Sequence, residues 1–173
     1  MRRRTHELAL ASVLSALAAV LLCLGGIVPL ATYAAPLLAS MVLVAAREEC
    51  SPGLAWGCWL VSAALGLLLS PDKEAALLHA FLGYYPLLKP RLDALRPRAL
   101  RLGAKLLLCV AAVGGMYALL LFVFRPAELT AEFAAAGAAL LWATALLGVA
   151  VFLVYDLALD RMTALYKRRR TRR

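Results

Sequence analysis

Between Leu67 and Pro90 the chain reads LLLSPDKEAALLHAFLGYYPLLKP, two apolar runs parted by three adjacent charges, Asp72, Lys73 and Glu74. Locally the break has the chemistry of a helix start. Ser70 offers a hydroxyl for the N-cap, Pro71 suits the first helical position, and the acids fall where the helix dipole favours them. The flanking runs are short: residues 54–69 make about 24 Å of helix and residues 75–88 about 21 Å, against a hydrocarbon core of roughly 30 Å. If both start at one membrane boundary, as Pro52 and Lys89 imply, the charged tip ends below the opposite surface. Ionisable groups at that depth are costly unless they face a wet cavity or a partner, which favours a site open to the outside over a plain capped loop.

Composition places this hairpin in a bilayer. Of 173 residues 64% are hydrophobic and 17% charged, with a mean hydropathy of +0.83, whereas soluble domains use about 45–50% apolar residues. At roughly 20 residues per crossing the length fits about six spans and leaves no room for a separate soluble domain. The expected fold is therefore all-α, a single integral membrane domain over 1–173. Its helices are expected at 8–28, 34–46, 54–69, 71–88, 104–124 and 132–155, followed by a basic tail at 161–173. An alternative for the first run is a signal peptide cleaved near Thr32-Tyr33-Ala34.

The formal charge of +9 raises the question of nucleic acid, and placement answers it. With six spans, all but two of the 19 lysines and arginines fall on the side of the termini, leaving Lys73 and Arg125 opposite. That asymmetry is the positive-inside pattern and puts both termini in the cytoplasm; it favours membrane lipids, not nucleic acid, as the contact of the basic tail. The linker from Lys89 to Lys105 sets Leu92, Leu95, Ala99 and Leu102 near helical spacing, as for a helix lying on the inner membrane surface. Cys23, Cys50, Cys58 and Cys109 lack metal-ligand spacing and read as packing residues. No nucleotide, hydrolase or metalloprotease motif occurs. Glu48 and Glu49 lack the arginine and histidines of an intramembrane CAAX-type protease, so no catalytic residue, metal or cofactor is expected.

On the helix after the break, His79 lies seven residues beyond Asp72, nearly two turns, so the two share a face. Further candidates for a cavity wall are Tyr33 in the first outer loop, Tyr117 midway along the fifth span and Trp142 in the sixth, with Glu128 and Glu132 as an acidic rim. Asp72, Lys73, Glu74, His79, Tyr33, Tyr117 and Trp142 thus form the expected substrate site, suited to a small amphipathic or zwitterionic solute. On the first span Ala11, Ser15 and Ala19 recur every four residues, as do Ser12 and Ala16, so that another helix backbone can approach.

With its small size, expected six helices, basic N-terminus, stripe Ala11-x-x-x-Ser15-x-x-x-Ala19 and break REECSPG, the chain resembles the substrate-binding S components of energy-coupling factor transporters. That resemblance implies a bacterial cytoplasmic membrane protein that takes a small-molecule substrate, a vitamin or other micronutrient, from the outer face. It would then dock through Ala11, Ser15 and Ala19 on a transmembrane coupling subunit driven by two cytoplasmic ATPases. Two other classes fit the composition: a scaffold of the cell-shape and elongation machinery, and an autonomous lipid or solute flippase.

Overall fold

The structure is a computed structural model and describes residues 2–25, 31–119 and 138–170. These residues are all-helical. In chain order the helices are α1 (Arg2–Gly25), α2 (Ala34–Glu49), α3 (Pro52–Leu69), α4 (Lys73–Leu82), α5 (Tyr85–Asp93), α6 (Arg98–Leu119) and α7 (Ala138–Arg170). Among the described residues three stretches, Arg4–Gly25, Pro52–Leu69 and Arg98–Leu119, are long and apolar enough to cross a membrane.

The bundle exposes many apolar side chains and buries several polar ones within a mainly apolar interior. Leu68, Leu107, Val110 and Val154 lie on its surface, while Ser15, Ser40, Ser62, His79, Lys89 and Lys105 are buried. Hydrocarbon as solvent requires this distribution, because it takes up leucine freely and leaves polar groups to find one another inside. This is a membrane protein.

Two layers of packing follow. Ala11, Ala18, Ala19 and Leu22 of α1 are buried against α2 and α3. The approach is close: a Cβ built on Gly66 of α3 would lie 2.7 Å from the Leu22 side chain. Cys58 donates its thiol to the Ala11 carbonyl at 3.4 Å, and Ser15 donates to the same oxygen at 2.8 Å. The second core joins α2, α4, α5, α6 and α7 through Val44, Leu77, Leu82, Tyr85, Met116 and Phe152, with the Tyr85 and Phe152 rings edge-on at 5.0 Å.

This packing makes the α1 stripe a seam within the chain and takes from it the docking role that the resemblance implied. Ala11, Ser15 and Ala19 are 7%, 5% and 5% exposed, covered by helices of the same chain and not by a second subunit. The physical reason is the one that singled them out: small side chains let backbones approach, and α2 and α3 take the place. Ser12 and Ala16, one residue further round, are exposed.

The expected helix at 71–88 is also two helices. Pro86 has no N–H to give the Leu82 carbonyl, and its ring crowds the preceding turn, so the chain breaks at Gly83-Tyr84. The second piece runs on to Asp93 through Pro90, which leaves the Pro86 carbonyl without a helical donor. Arg47 supplies one, Nη1 donating at 2.7 Å. Helix α3 starts two residues earlier than expected, and α4 with α5 spans residues 73–93, about 30 Å of chain. The shortness from which a recessed tip was argued is therefore not a property of this hairpin. Leu92 packs on the second core while Leu95, Ala99 and Leu102 are exposed, and the chain turns at 94–97, so no single surface helix covers the basic linker.

The two stripes of α1 should respond oppositely to bulk. Ser15→Leu overpacks the face of α1 covered by α2 and α3 and costs about 1–3 kcal/mol, seen as a lower melting temperature in detergent. Ala16→Leu stays within about 0.5 kcal/mol. Equal tolerance of both would contradict the α1 packing.

Candidate functional site

Three helix ends meet around the charged break. Asp72, not Ser70, is the N-cap of α4: its Oδ1 accepts the Ala75 N–H at 3.1 Å. Ser70 is buried instead, its hydroxyl 3.3 Å from the Leu22 carbonyl and 3.1 Å from that of Asp72. Lys73 folds back on α3, Nζ donating to the carbonyls of Leu67 at 2.9 Å and Ser70 at 3.0 Å. Carbonyls at the end of a helix lack intrahelical donors, and the negative end of the dipole favours an ammonium there.

Glu74 is where distant parts of the chain converge. Its Oε1 accepts the Tyr33 hydroxyl at 3.0 Å, from the turn before α2, and the Tyr117 hydroxyl at 2.8 Å, from α6. Burial above all, with the Glu74 charge adding to it and the Tyr117 hydroxyl opposing, raises the Tyr33 phenol above its ordinary pKa, so it remains a donor. Among the described residues Oε2 of Glu74 accepts no hydrogen bond, which leaves one lobe of a half-buried carboxylate for a ligand N–H or ammonium.

His79 lies deeper and does not join that group. It is fully buried, its Nε2 3.0 Å from Ser62 Oγ on α3. Among the described residues its Nδ1 makes no hydrogen bond of good geometry, and the nearest polar group acting on the ring is the Pro36 carbonyl. The expected common face of Asp72 and His79 is thus split, because Asp72 turns back to cap its own helix. Trp142, 72% exposed, lies on the surface of α7 and is no cavity wall. Glu128 and Glu132 fall outside the described residues.

At the other end of the bundle the structure assembles a cluster that the sequence reading missed. Asp156 of α7 takes Lys89 on Oδ1 and Lys105 on Oδ2, the latter at 2.9 Å, and accepts the Tyr85 hydroxyl at 2.5 Å. Asp93 lies 2.6 Å from Lys105, and Asp160 lies 3.1 Å from Lys89. Both lysines had been counted as markers of the cytoplasmic face, yet their side chains are 4% and 8% exposed. A signal was present: Asp156 and Asp160 sit one turn apart, on one face, at the end of an apolar run that otherwise lacks acids. Nearby, Arg47 donates to Thr163 at 3.3 Å and Tyr166 to Glu49 at 3.0 Å, tying the far part of α7 to α2.

Neither a family model, nor a curated protein, nor a solved structure matches the chain.

Gly83 and His79 make a separable test. A Cβ on Gly83 would stand 2.7 Å from His79 Nδ1 and closer still to the His79 carbonyl oxygen. Gly83→Ala should destabilise by about 1–3 kcal/mol, and the ring's share of that loss should be recovered in Gly83→Ala/His79→Ala measured against His79→Ala alone. Full additivity in thermal unfolding would show that the ring does not fill this place.

Proposed function

We propose that this protein is a solute-capture subunit of an ATP-driven importer. It crosses the membrane six times with both termini in the bacterial cytoplasm, and it holds a small amine-bearing or other N–H-donating solute at Glu74. The observation that carries this reading is the convergence of Tyr33 and Tyr117, from two other parts of the chain, on one oxygen of a half-buried carboxylate. Two phenols orient the group and leave its second oxygen directed by the scaffold, not by solvent, which is how a binding carboxylate is preorganised. Lys73 is occupied by the end of α3, so an anionic group of the solute has no lysine to meet here.

Topology is supported by the distribution of contacts. Tyr33, Glu74 and Tyr117 gather at one end of the bundle, and Arg47, Lys89, Lys105 and Asp156 at the other. The second group includes cations expected on the cytoplasmic side. Energy comes from a transmembrane coupling subunit and its two cytoplasmic ATPases. With Ala11, Ser15 and Ala19 covered, the flank of α1 bearing Ser12, Ala16, Val13 and Leu17 is the face left for that contact.

A scaffold of the cell-shape machinery is the second reading, favoured by one observation: Asp72, Lys73 and Glu74 each already have a partner within the chain. The two readings separate on bound solute. Mass spectrometry of small molecules released from wild-type protein should find one organic compound in near-stoichiometric amount. Glu74→Gln should retain at least about tenfold less, the loss of one charge-assisted hydrogen bond, and Tyr117→Phe an intermediate amount. A wild-type protein without bound solute, or undiminished retention in Glu74→Gln, would overturn the importer reading; a shape defect on deletion without any uptake defect would establish the scaffold.

A further inference from the structure

Between Lys89 and Lys105 the chain carries four arginines, Arg91, Arg96, Arg98 and Arg101, and one acid, Asp93. The acid is already committed. It lies 2.6 Å from Lys105 and 3.9 Å from Lys89. Within the bundle Arg47, Lys73, Lys89 and Lys105 are each paired to another part of the chain. Among the described residues, by contrast, the side chains of the four arginines make no hydrogen bond or ion pair. Arg91, Arg96 and Arg98 are exposed and Arg101 partly so. The turn from α5 to α6 thus gathers four guanidiniums whose one acidic neighbour in sequence faces the lysines instead.

The depth of this turn follows from α6. That helix has 22 residues and is apolar enough to cross a membrane. Its length of about 33 Å slightly exceeds a hydrocarbon core of roughly 30 Å, so Arg98 and Arg101, in its first turn, come to the boundary between hydrocarbon and headgroups. One turn further along, Lys105 is drawn inward to Asp93 and Asp156, and beyond it Leu107 and Val110 face outward. Leu95, Leu100 and Leu102 are exposed among the arginines. Leucine and arginine mixed on one surface suit that boundary: acyl chains cover the leucines, and arginine stems lie along them while their guanidiniums reach the phosphates.

We propose that the α5–α6 turn binds an anionic phospholipid, its phosphate held by the guanidiniums of Arg91, Arg96, Arg98 and Arg101 and its acyl chains lying against Leu95, Leu100 and Leu102. A guanidinium presents paired N–H donors that match phosphate oxygens. Four cations without a counter-charge of their own favour a headgroup with net negative charge over a zwitterionic one, whose ammonium they repel. The depth of the turn favours a lipid over an acidic protein, which would meet the guanidiniums in water and leave leucines at the hydrocarbon edge uncovered. The site lies at the opposite end of the bundle from Glu74 and does not depend on the importer reading.

The test offers the full-length protein equimolar phosphatidylglycerol and phosphatidylcholine of matched acyl chains and counts bound lipids by native mass spectrometry. The first lipid bound should be phosphatidylglycerol about tenfold more often than phosphatidylcholine, and this preference should shrink as ammonium acetate is raised. The variant Arg91→Gln/Arg96→Gln/Arg98→Gln/Arg101→Gln, with its melting temperature unchanged, should bring the ratio close to one. Its two halves, Arg91→Gln/Arg96→Gln and Arg98→Gln/Arg101→Gln, probe the same point in less altered proteins, and each should lower the ratio about threefold. Removing equal charge from the tail by Arg168→Gln/Arg169→Gln/Arg170→Gln/Arg172→Gln should leave the ratio within about twofold of wild type. A wild-type ratio near one would leave the turn to an acidic protein and overturn the proposal, as would a ratio unchanged in both halves. An equal fall in the turn and tail variants would reduce the effect to net charge. Displacement of the lipid by millimolar inorganic phosphate at fixed ionic strength would make this a site for a soluble anion; either result overturns the lipid assignment.

Discussion

Asp156 holds the bundle together at the point where an apolar solvent offers no help. Helices in lipid gain little from hiding leucines against one another, so their mutual arrangement is decided by close packing and by polar groups with nowhere else to go. Here one carboxylate on α7 receives Lys89 from α5, Lys105 from α6 and the Tyr85 hydroxyl. Such a cluster adds less net stability than its charges imply, because desolvation offsets much of the attraction; breaking it is costly because it strands a charge. Its consequence is register. Helix α7 can slide or turn only by uncovering both lysines, and the cluster therefore sets how Tyr155 meets Ser40.

The same logic runs through the rest of the interior. Pro90 removes an N–H, the Pro86 carbonyl is left over, and Arg47 of α2 takes it. The end of α3 leaves carbonyls over, and Lys73 takes them. Glu74 accepts on one oxygen from two further parts of the chain through Tyr33 and Tyr117. Each interruption of a helix becomes a bond between helices. Among the described residues two buried polar atoms, Trp59 Nε1 and His79 Nδ1, lack such a bond.

Much of the helical plan was legible from hydropathy and loop charge, because a membrane span needs a long apolar run and the runs here are separated by proline, glycine or charge. The two tyrosines were legible as candidate walls of a cavity, Tyr33 from the first outer loop and Tyr117 from midway along the fifth span, and both donate to Glu74. What failed did so for identifiable reasons. An i, i+4 stripe of small residues marks close approach of a helix but not whose helix, so Ala11, Ser15 and Ala19 suited packing within the chain and docking of a subunit alike, and in the fold they are covered by the chain's own helices. The N-cap moved from Ser70 to Asp72 because either side chain can accept an N–H and only tertiary contact with Leu22 decides between them. Lys89 and Lys105 were read as topology markers because one-dimensional charge counts cannot tell a lysine in water from one turned inward to an aspartate on a helix more than fifty residues away.

The most direct test of this account is a mutant cycle on the Asp156 cluster, with unfolding free energy measured in lipid-detergent mixtures for Lys105→Met, Asp156→Leu and a variant that makes both changes with Lys89→Met. Asp156→Leu, which takes a partner from both buried lysines, should cost about 3–5 kcal/mol, Lys105→Met less because Lys89 and Tyr85 still hold Asp156, and the apolar triple variant should regain most of the Asp156→Leu loss. Single variants within about 0.5 kcal/mol of wild type, or a triple variant as unstable as the sum of its parts, would mean that α7 is held in place by something other than this carboxylate.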